Sequence, residues 1–216
     1  MIAPDLATML VYIFTDAALD APTLDRLLRG AAADTFNMLS VDTDTSTSDT
    51  CAILANGLAG AVDEGVFERA LRAACTRMTE MLARDGEGAT KLLRGTVEGA
   101  RTEGEARAVA RSIINSPLIK TMAFGADPNI GRVLMAVGKC FDCAVEPAKL
   151  SIWINDALVF AGGKKTEFDD GDLRRLLGGD PVDIRVDLGV GAGRAIAYGC
   201  DLTHGYIDEN AAYASS

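Results

Sequence analysis

The sequence predicts an α/β or α+β chain with a small C-terminal subdomain. Three observations carry this. Apolar, β-branched runs alternate with amphipathic helical patterns over the first two thirds of the chain. Past Glu146 the composition shifts toward short strands and turns. The chain has 216 residues and a mean hydropathy of +0.15, a composition able to bury a core.

Residues 10–15 (LVYIFT) read as a buried strand. Asp20-Ala21-Pro22 reads as a helix start, with Leu24, Leu27, Leu28, Ala31 and Ala32 at helical spacing and the pattern running to about residue 39. Residues 41–49, rich in Thr, Ser and Asp, read as a loop, and residues 51–55 as a short strand. Residues 63–82 form an amphipathic helix pattern, with Phe67, Leu71, Ala74, Cys75, Met78, Met81 and Leu82 on one face. A strand over 91–97, a helix over 102–114, a strand over 119–124 and a helix over 132–137 follow. Residues 151–160 read as strand-turn-strand around Asn155-Asp156, residues 170–177 as a short helix, and residues 182–188 and 195–200 as a hairpin in outline.

Charge and composition exclude several classes. Lys and Arg number 21 against 31 Asp and Glu, a net charge of −10, which disfavours nucleic acid and anionic membrane surfaces. No stretch is long and apolar enough to span a bilayer. Residues 1–17 resemble a signal peptide weakly, but they lack a basic leading segment and are interrupted by Pro4 and Asp5, so they read as a buried loop and strand. Cys51, Cys75, Cys140, Cys143 and Cys200 are scattered and odd in number, as expected of reduced thiols in the cytoplasm. Cys140 and Cys143 have metal-ligand or redox spacing without a second pair, and no metal is expected there.

His204 is the one histidine and reads as a solvated loop residue, so a Ser-His-Asp triad has no base. The glycine run over 189–194 lacks a strand-to-helix context for phosphate binding. A threonine can dispense with histidine if it becomes a chain N-terminus, because its own α-amine then removes the hydroxyl proton. Ala7-Thr8 sits between Pro4 and the first strand, where such a cut would leave Thr8 fixed in place. Gly86 and Gly88 flank Glu87 and allow the backbone to aim that carboxylate inward, although from spacing alone a helix C-cap followed by a surface carboxylate is the preferred reading.

MIAPDLATML (1–10), VDTDTSTSDT (41–50), DGEGATK (85–91), SPLIKTMAFGADPNIGR (116–132) and CDLTHGYIDENAAY (200–213) occur in this order. Together they resemble the ornithine acetyltransferase family, the bifunctional glutamate N-acetyltransferases of arginine biosynthesis, over the C-terminal (β) product of self-cleavage. The resemblance implies an N-terminal-nucleophile-like acyltransferase fold of layered sheets between helices and a cut between Ala7 and Thr8. It implies ping-pong transfer of acetyl from N-acetyl-L-ornithine to L-glutamate through an acetyl ester on Thr8. Glu87 matches the family's carboxylate facing the substrate amine, and Asn210 and Ser215 match the pair at the substrate's amino-acid end, with Ser215 where the family usually has Thr. Ser48, Ile130 and Leu6 depart from a common Asn, aromatic and Met. No cofactor is implied, with acetyl-CoA an alternative acetyl donor. An α chain supplies the oxyanion hole, and the two chains pair as an α2β2 heterotetramer. The implied division is a residual segment (1–7), a nucleophile-bearing domain (8–145) and a small subdomain (146–216). Two other readings stand beside this one: an N-terminal-nucleophile aminopeptidase or amidase with water as acceptor, and an inactive orphan β-like fragment, to which the coincidence of Met1 with a motif position points.

Overall fold

The computed structural model describes residues 9–211. Strand β1 (Leu10–Ala17) pairs in parallel with β3 (Thr50–Gly60), in a register that sets Leu10 against Thr50 and Phe14 against Leu54. Alternation along β1 turns Val11 and Ala17 inward and leaves Leu10, Tyr12 and Phe14 outward. The inner face packs on α1 (Ala21–Asp34) and α2 (Glu64–Arg84) through Met9, Val11, Leu27, Ala31, Phe36, Leu71 and Cys75.

Both helices start where the side-chain chemistry requires it. Asp20 accepts the N–H of Thr23 with Pro22 in the first turn, and Asp63 accepts the N–H of Val66. The expected α2 stripe is partly displaced: Leu71, Cys75, Thr79 and Ala83 are buried, while Met81 is exposed. Helix α1 stops at Asp34. A 3-10 turn over Phe36–Met38 and the short strand β2 (Leu39–Ser40) replace the helix expected to about residue 39. Strand β3 runs past the expected Ala55 to Gly60, where Ala17 of β1 pairs with it again after a break in register.

The seven-stranded sheet has the order β2-β9-β4-β8-β5-β6-β7, built from β4 (Leu92–Ala100), β5 (Ser151–Ile154), β6 (Ala157–Ala161), β7 (Lys164–Lys165), β8 (Val182–Asp187) and β9 (Gly193–Cys200) with β2. Strand β4 lies between β8, parallel to it, and β9, antiparallel to it. The hairpin expected of residues 182–188 and 195–200 therefore does not form: each strand finds its partner in β4, which buries Val97 and Leu93 between them. The sheet joins the chain on either side of residue 146 into one core.

Helix α3 (Glu103–Ile114), capped by Thr102, covers one face, where Gly95 of β4 and Gly199 of β9 admit Ile114. The other face meets α2, where Arg94 pairs with Glu80. The layers run from the β1–β3 ribbon through α1 and α2 to the sheet and then to α3. Residues 119–124, expected as a strand, form helix α4 (Pro117–Phe124). Ser116 caps it by accepting the N–H of Ile119, and Pro117 occupies the first turn. This local start signal outweighs the β-branched character of the run. Helix α5 (Gly131–Gly138) packs beside α3, α6 (Asp170–Leu177) matches its expected bounds, and α7 (His204–Ala211) follows β9. No helix among the described residues is long and apolar enough to cross a membrane.

Candidate functional site

The loop after α2 is bent by glycines for a steric reason. A Cβ on Gly86 would stand 2.9 Å from the Cys200 sulfur. Gly88 has φ +64°, and a Cβ there would stand 2.3 Å from the Gly205 carbonyl carbon. The loop thus lies flat on the end of β9 and the start of α7. Polar contacts fix it: Thr203 donates its hydroxyl to the Gly88 carbonyl at 2.6 Å. Asp201, 2 % exposed, accepts from the Thr90 N–H, the Thr90 hydroxyl and the Lys91 N–H at 2.8, 2.5 and 3.0 Å.

Glu87 stands between these anchors. Its Oε2 is buried and has no hydrogen-bond partner among the described residues. A buried carboxylate oxygen left unpaired is unfavourable by about 1–3 kcal/mol or more, which suits a site awaiting a donor. Glu87 is half-buried, with that oxygen turned away from solvent.

Charged groups from several elements converge here. Lys120 of α4 is 4 % exposed and donates to the Cys200 carbonyl at 2.5 Å, with the Cys200 sulfur 3.8 Å away. Burial pulls the Lys120 ammonium below the usual lysine range, against the charges of Asp201 and Asp42. Tyr206 of α7 donates its hydroxyl to Asp42 at 3.0 Å. Burial, that hydrogen bond and the nearby Asp42 and Glu87 charges push the phenol up to about 12. Burial likewise raises the Cys200 thiol, with Lys120 opposing.

Asn210 is exposed on α7 and donates to the Tyr206 carbonyl at 2.9 Å, so the helix that rests on the Glu87 loop also carries Asn210. Thr8, Ala7 and Ser215 lie outside the described residues. Met9, which follows Thr8, is buried; its N–H donates to Asp49 Oδ1 at 2.7 Å and its carbonyl accepts from Thr50 at 2.8 Å. His204 is exposed, as expected, but opens α7 rather than lying in a loop, and it meets the Phe124 ring edge-on at 5.8 Å. Cys140 and Cys143 turn their sulfurs to the Ala136 and Glu105 carbonyls, and no three His, Cys, Asp or Glu side chains among the described residues could hold a metal ion.

Sequence reasoning missed Lys120, Asp42, Tyr206 and Asp201. A lysine within the apolar run of α4 was the available signal for Lys120. Nothing local marks Asp201, whose partners are about a hundred residues away in the chain.

A model of the ArgJ family matches residues 1–215. The chain belongs to the ArgJ family. It is 49% identical over 217 residues to the arginine biosynthesis bifunctional protein ArgJ of Rhodococcoides fascians, covering 100% of this chain and 54% of that protein. It is 44% identical over 220 residues to the glutamate N-acetyltransferase Oat2 of Streptomyces clavuligerus, covering 100% of this chain and 56% of that protein. The chain thus spans about half the length of the curated relatives it matches. The crystal structure of the arginine biosynthesis bifunctional protein argJ from Bacillus halodurans superposes with a TM-score of 0.92 at 39% identity, over 95% of this chain and 100% of that one. The ArgJ relationship establishes the layered α/β fold and agrees with the five ordered motifs.

Proposed function

We propose that this chain is the nucleophile-bearing half of an acetyltransferase of arginine biosynthesis, acting in the cytoplasm. Thr8, freed by cleavage after Ala7, attacks the acetyl carbonyl of N-acetyl-L-ornithine, and ornithine leaves. L-Glutamate then takes the acetyl group from the Thr8 ester. Glu87 holds the substrate amine, and Asn210 and Ser215 hold the amino-acid end. No cofactor takes part, with acetyl-CoA an alternative donor.

The observation that carries this reading is the buried Oε2 of Glu87, on a loop anchored by Thr203 and Asp201 and without a donor among the described residues. A substrate ammonium supplies the missing donor and charge. Membership of the ArgJ family supports the reaction, since relatives are named for arginine biosynthesis and glutamate N-acetylation.

The rest of the relatives' length forms the α partner, and the two parts assemble as α2β2. The β1–β3 ribbon supports this. Parallel strands are ordinarily covered on both faces, and a lone two-stranded ribbon is marginal in water. Here Leu10, Tyr12, Phe14, Leu54 and Leu58 stay exposed on the outer side, beside a groove of about 620 Å³ along β1 and α2.

The test is acetyl exchange between N-acetylornithine and glutamate, with this chain alone and with a family-length α segment co-expressed. Exchange that requires both supports the proposal. Amide hydrolysis without dependence on glutamate would replace it with an amidase.

A further inference from the structure

Cys140, Phe141, Asp142 and Cys143 follow α5 as a closed turn, in which the Cys143 N–H donates to the Cys140 carbonyl at 3.0 Å. A turn closed in this way holds its first and fourth Cα atoms within about 7 Å. A disulfide needs Cα atoms roughly 4.4–6.8 Å apart. The backbone therefore already brings the two cysteines within reach of one bond. The turn is anchored at both ends. The Cys140 N–H donates to the Val137 carbonyl of α5 at 3.1 Å, and the Ala144 N–H donates to Glu105 Oε2 of α3 at 3.4 Å.

The sulfurs are weakly held and reachable. Both cysteines are half-buried, whereas Cys75 and Cys200 are buried. The Cys140 thiol donates to the Ala136 carbonyl at 3.5 Å, and the Cys143 sulfur lies 4.0 Å from the Glu105 carbonyl. A thiol is a weak donor, so neither contact strongly opposes rotation of its side chain. Phe141, between the two, is 90 % exposed, which leaves the outer side of the turn open to a small reagent.

The position in the fold suits a modified pair and not a catalytic one. Cysteines at a helix N-terminus have lowered pKa values and react readily. This pair follows the C-terminus of α5, where the helix dipole is negative. Burial pushes the Cys143 thiol up, and Cys140, Glu105 and Asp142 push it further. A dithiol whose thiolates are not stabilised favours its oxidised form, so a bond made here persists.

We propose that Cys140 and Cys143 are a covalent modification site, a dithiol that a low-molecular-weight disulfide converts to an intrachain disulfide. The Cys140 thiolate attacks one sulfur of the reagent. A bond forms between Cys140 and that sulfur, the S–S bond of the reagent breaks, and one reagent thiolate leaves. The Cys143 thiolate then attacks the Cys140 sulfur, which forms the Cys140–Cys143 bond and releases the second reagent thiolate. The chain gives up two electrons and two protons, and the reagent is reduced to two thiols. The new bond staples the end of α5 where Glu105 of α3 holds the turn. The site is separate from the Glu87 loop and independent of the acetyl-transfer reading.

The full chain, co-expressed with its α segment, is equilibrated over a series of reduced-to-oxidised glutathione ratios. Free thiols are then alkylated in urea, and the chain is digested with trypsin without reduction. Cleavage after Lys139 and Lys149 leaves both cysteines in one peptide, 140–149. The expected product is this peptide unalkylated and lighter by two hydrogens, with Cys75 and Cys200 alkylated. The same titration of the urea-unfolded chain supplies the reference. Because the fold fixes the central residues of the turn in advance, closure should be favoured by at least about tenfold in the folded chain. A folded chain whose peptide carries two alkyl groups at every ratio, keeps glutathione on one sulfur without closing, or closes no more readily than the unfolded chain overturns the proposal. Oxidation that joins Cys51 to Cys75 and spares this pair overturns it too. Cys143→Ser should stop at the mixed disulfide on Cys140, and a Cys143→Ser chain that takes up no glutathione overturns the assigned first attack. Should that variant fail to fold, the comparison of folded and unfolded wild type still decides.

Discussion

Thr90 donates to Asp201 twice, through its backbone N–H at 2.8 Å and its hydroxyl at 2.5 Å, across 111 residues of chain. This contact ties the Glu87 loop to the end of β9, with Lys91 adding a third donor. Asp201→Ala leaves those donors without their acceptor in a partly buried setting. We expect a loss of about 3 kcal/mol in urea unfolding. We also expect reduced acetyl transfer, because Glu87 loses its anchor. Asp201→Asn, which keeps an acceptor, should lose less on both counts.

Glu87→Gln separates binding from folding. Its Oε2 makes no hydrogen bond among the described residues, so the unfolding midpoint should stay where it is or rise. A charged hydrogen bond to the substrate contributes about 1.5–3 kcal/mol, so kcat/KM for the acetyl donor should fall about 10- to 100-fold. Steady-state kinetics beside urea unfolding checks both. Loss of soluble protein would instead assign Glu87 to the fold.

Gly88→Ala combines two penalties. The residue has φ +64°, and an added Cβ would stand 2.5 Å from the Tyr206 nitrogen. The backbone cost alone is about 1–2 kcal/mol, and relieving the clash requires α7 to lift from the loop. We expect lowered stability and faster amide exchange in α7, read by hydrogen-exchange mass spectrometry. Unchanged protection of α7 would refute the close approach.

Cys75 carries an alkaline dependence. Burial first, then the neighbouring Cys51, push its thiol up to about 11 from an ordinary 9.0. The unfolded chain releases this proton before the folded one does. The contribution to stability is therefore full below pH 9 and lost as pH rises through 11. Cys75→Ala should show a smaller fall in unfolding free energy than wild type between about pH 8 and about pH 10.5. Equal falls would contradict the burial of the thiol.

Much of the fold was legible because its signals are local. Asp20-Ala21-Pro22, Asp63 and Thr102 mark helix starts, and the Asn155-Asp156 turn separates β5 from β6. Failures came where tertiary contacts decide. Nothing near residues 182–200 says that β4 separates β8 from β9, and the apolar run of α4 reads equally as a strand until Ser116 and Pro117 are weighed. Around the Glu87 loop, the flexible glycines on either side of that residue were legible. The contacts of Lys120 and Tyr206 were not, because they are made with partners distant in sequence, Cys200 and Asp42.

The central claim is that Thr8 carries the acetyl group, and intact mass tests it most directly. The chain, co-expressed with its α segment, is weighed before and after N-acetylornithine, and again after glutamate. The account predicts a chain that begins at Thr8, gains one acetyl group and gives it up to glutamate, while Thr8→Ala does neither. A wild-type chain that gains no acetyl group, or a Thr8→Ala protein that still exchanges acetyl between ornithine and glutamate, would contradict it.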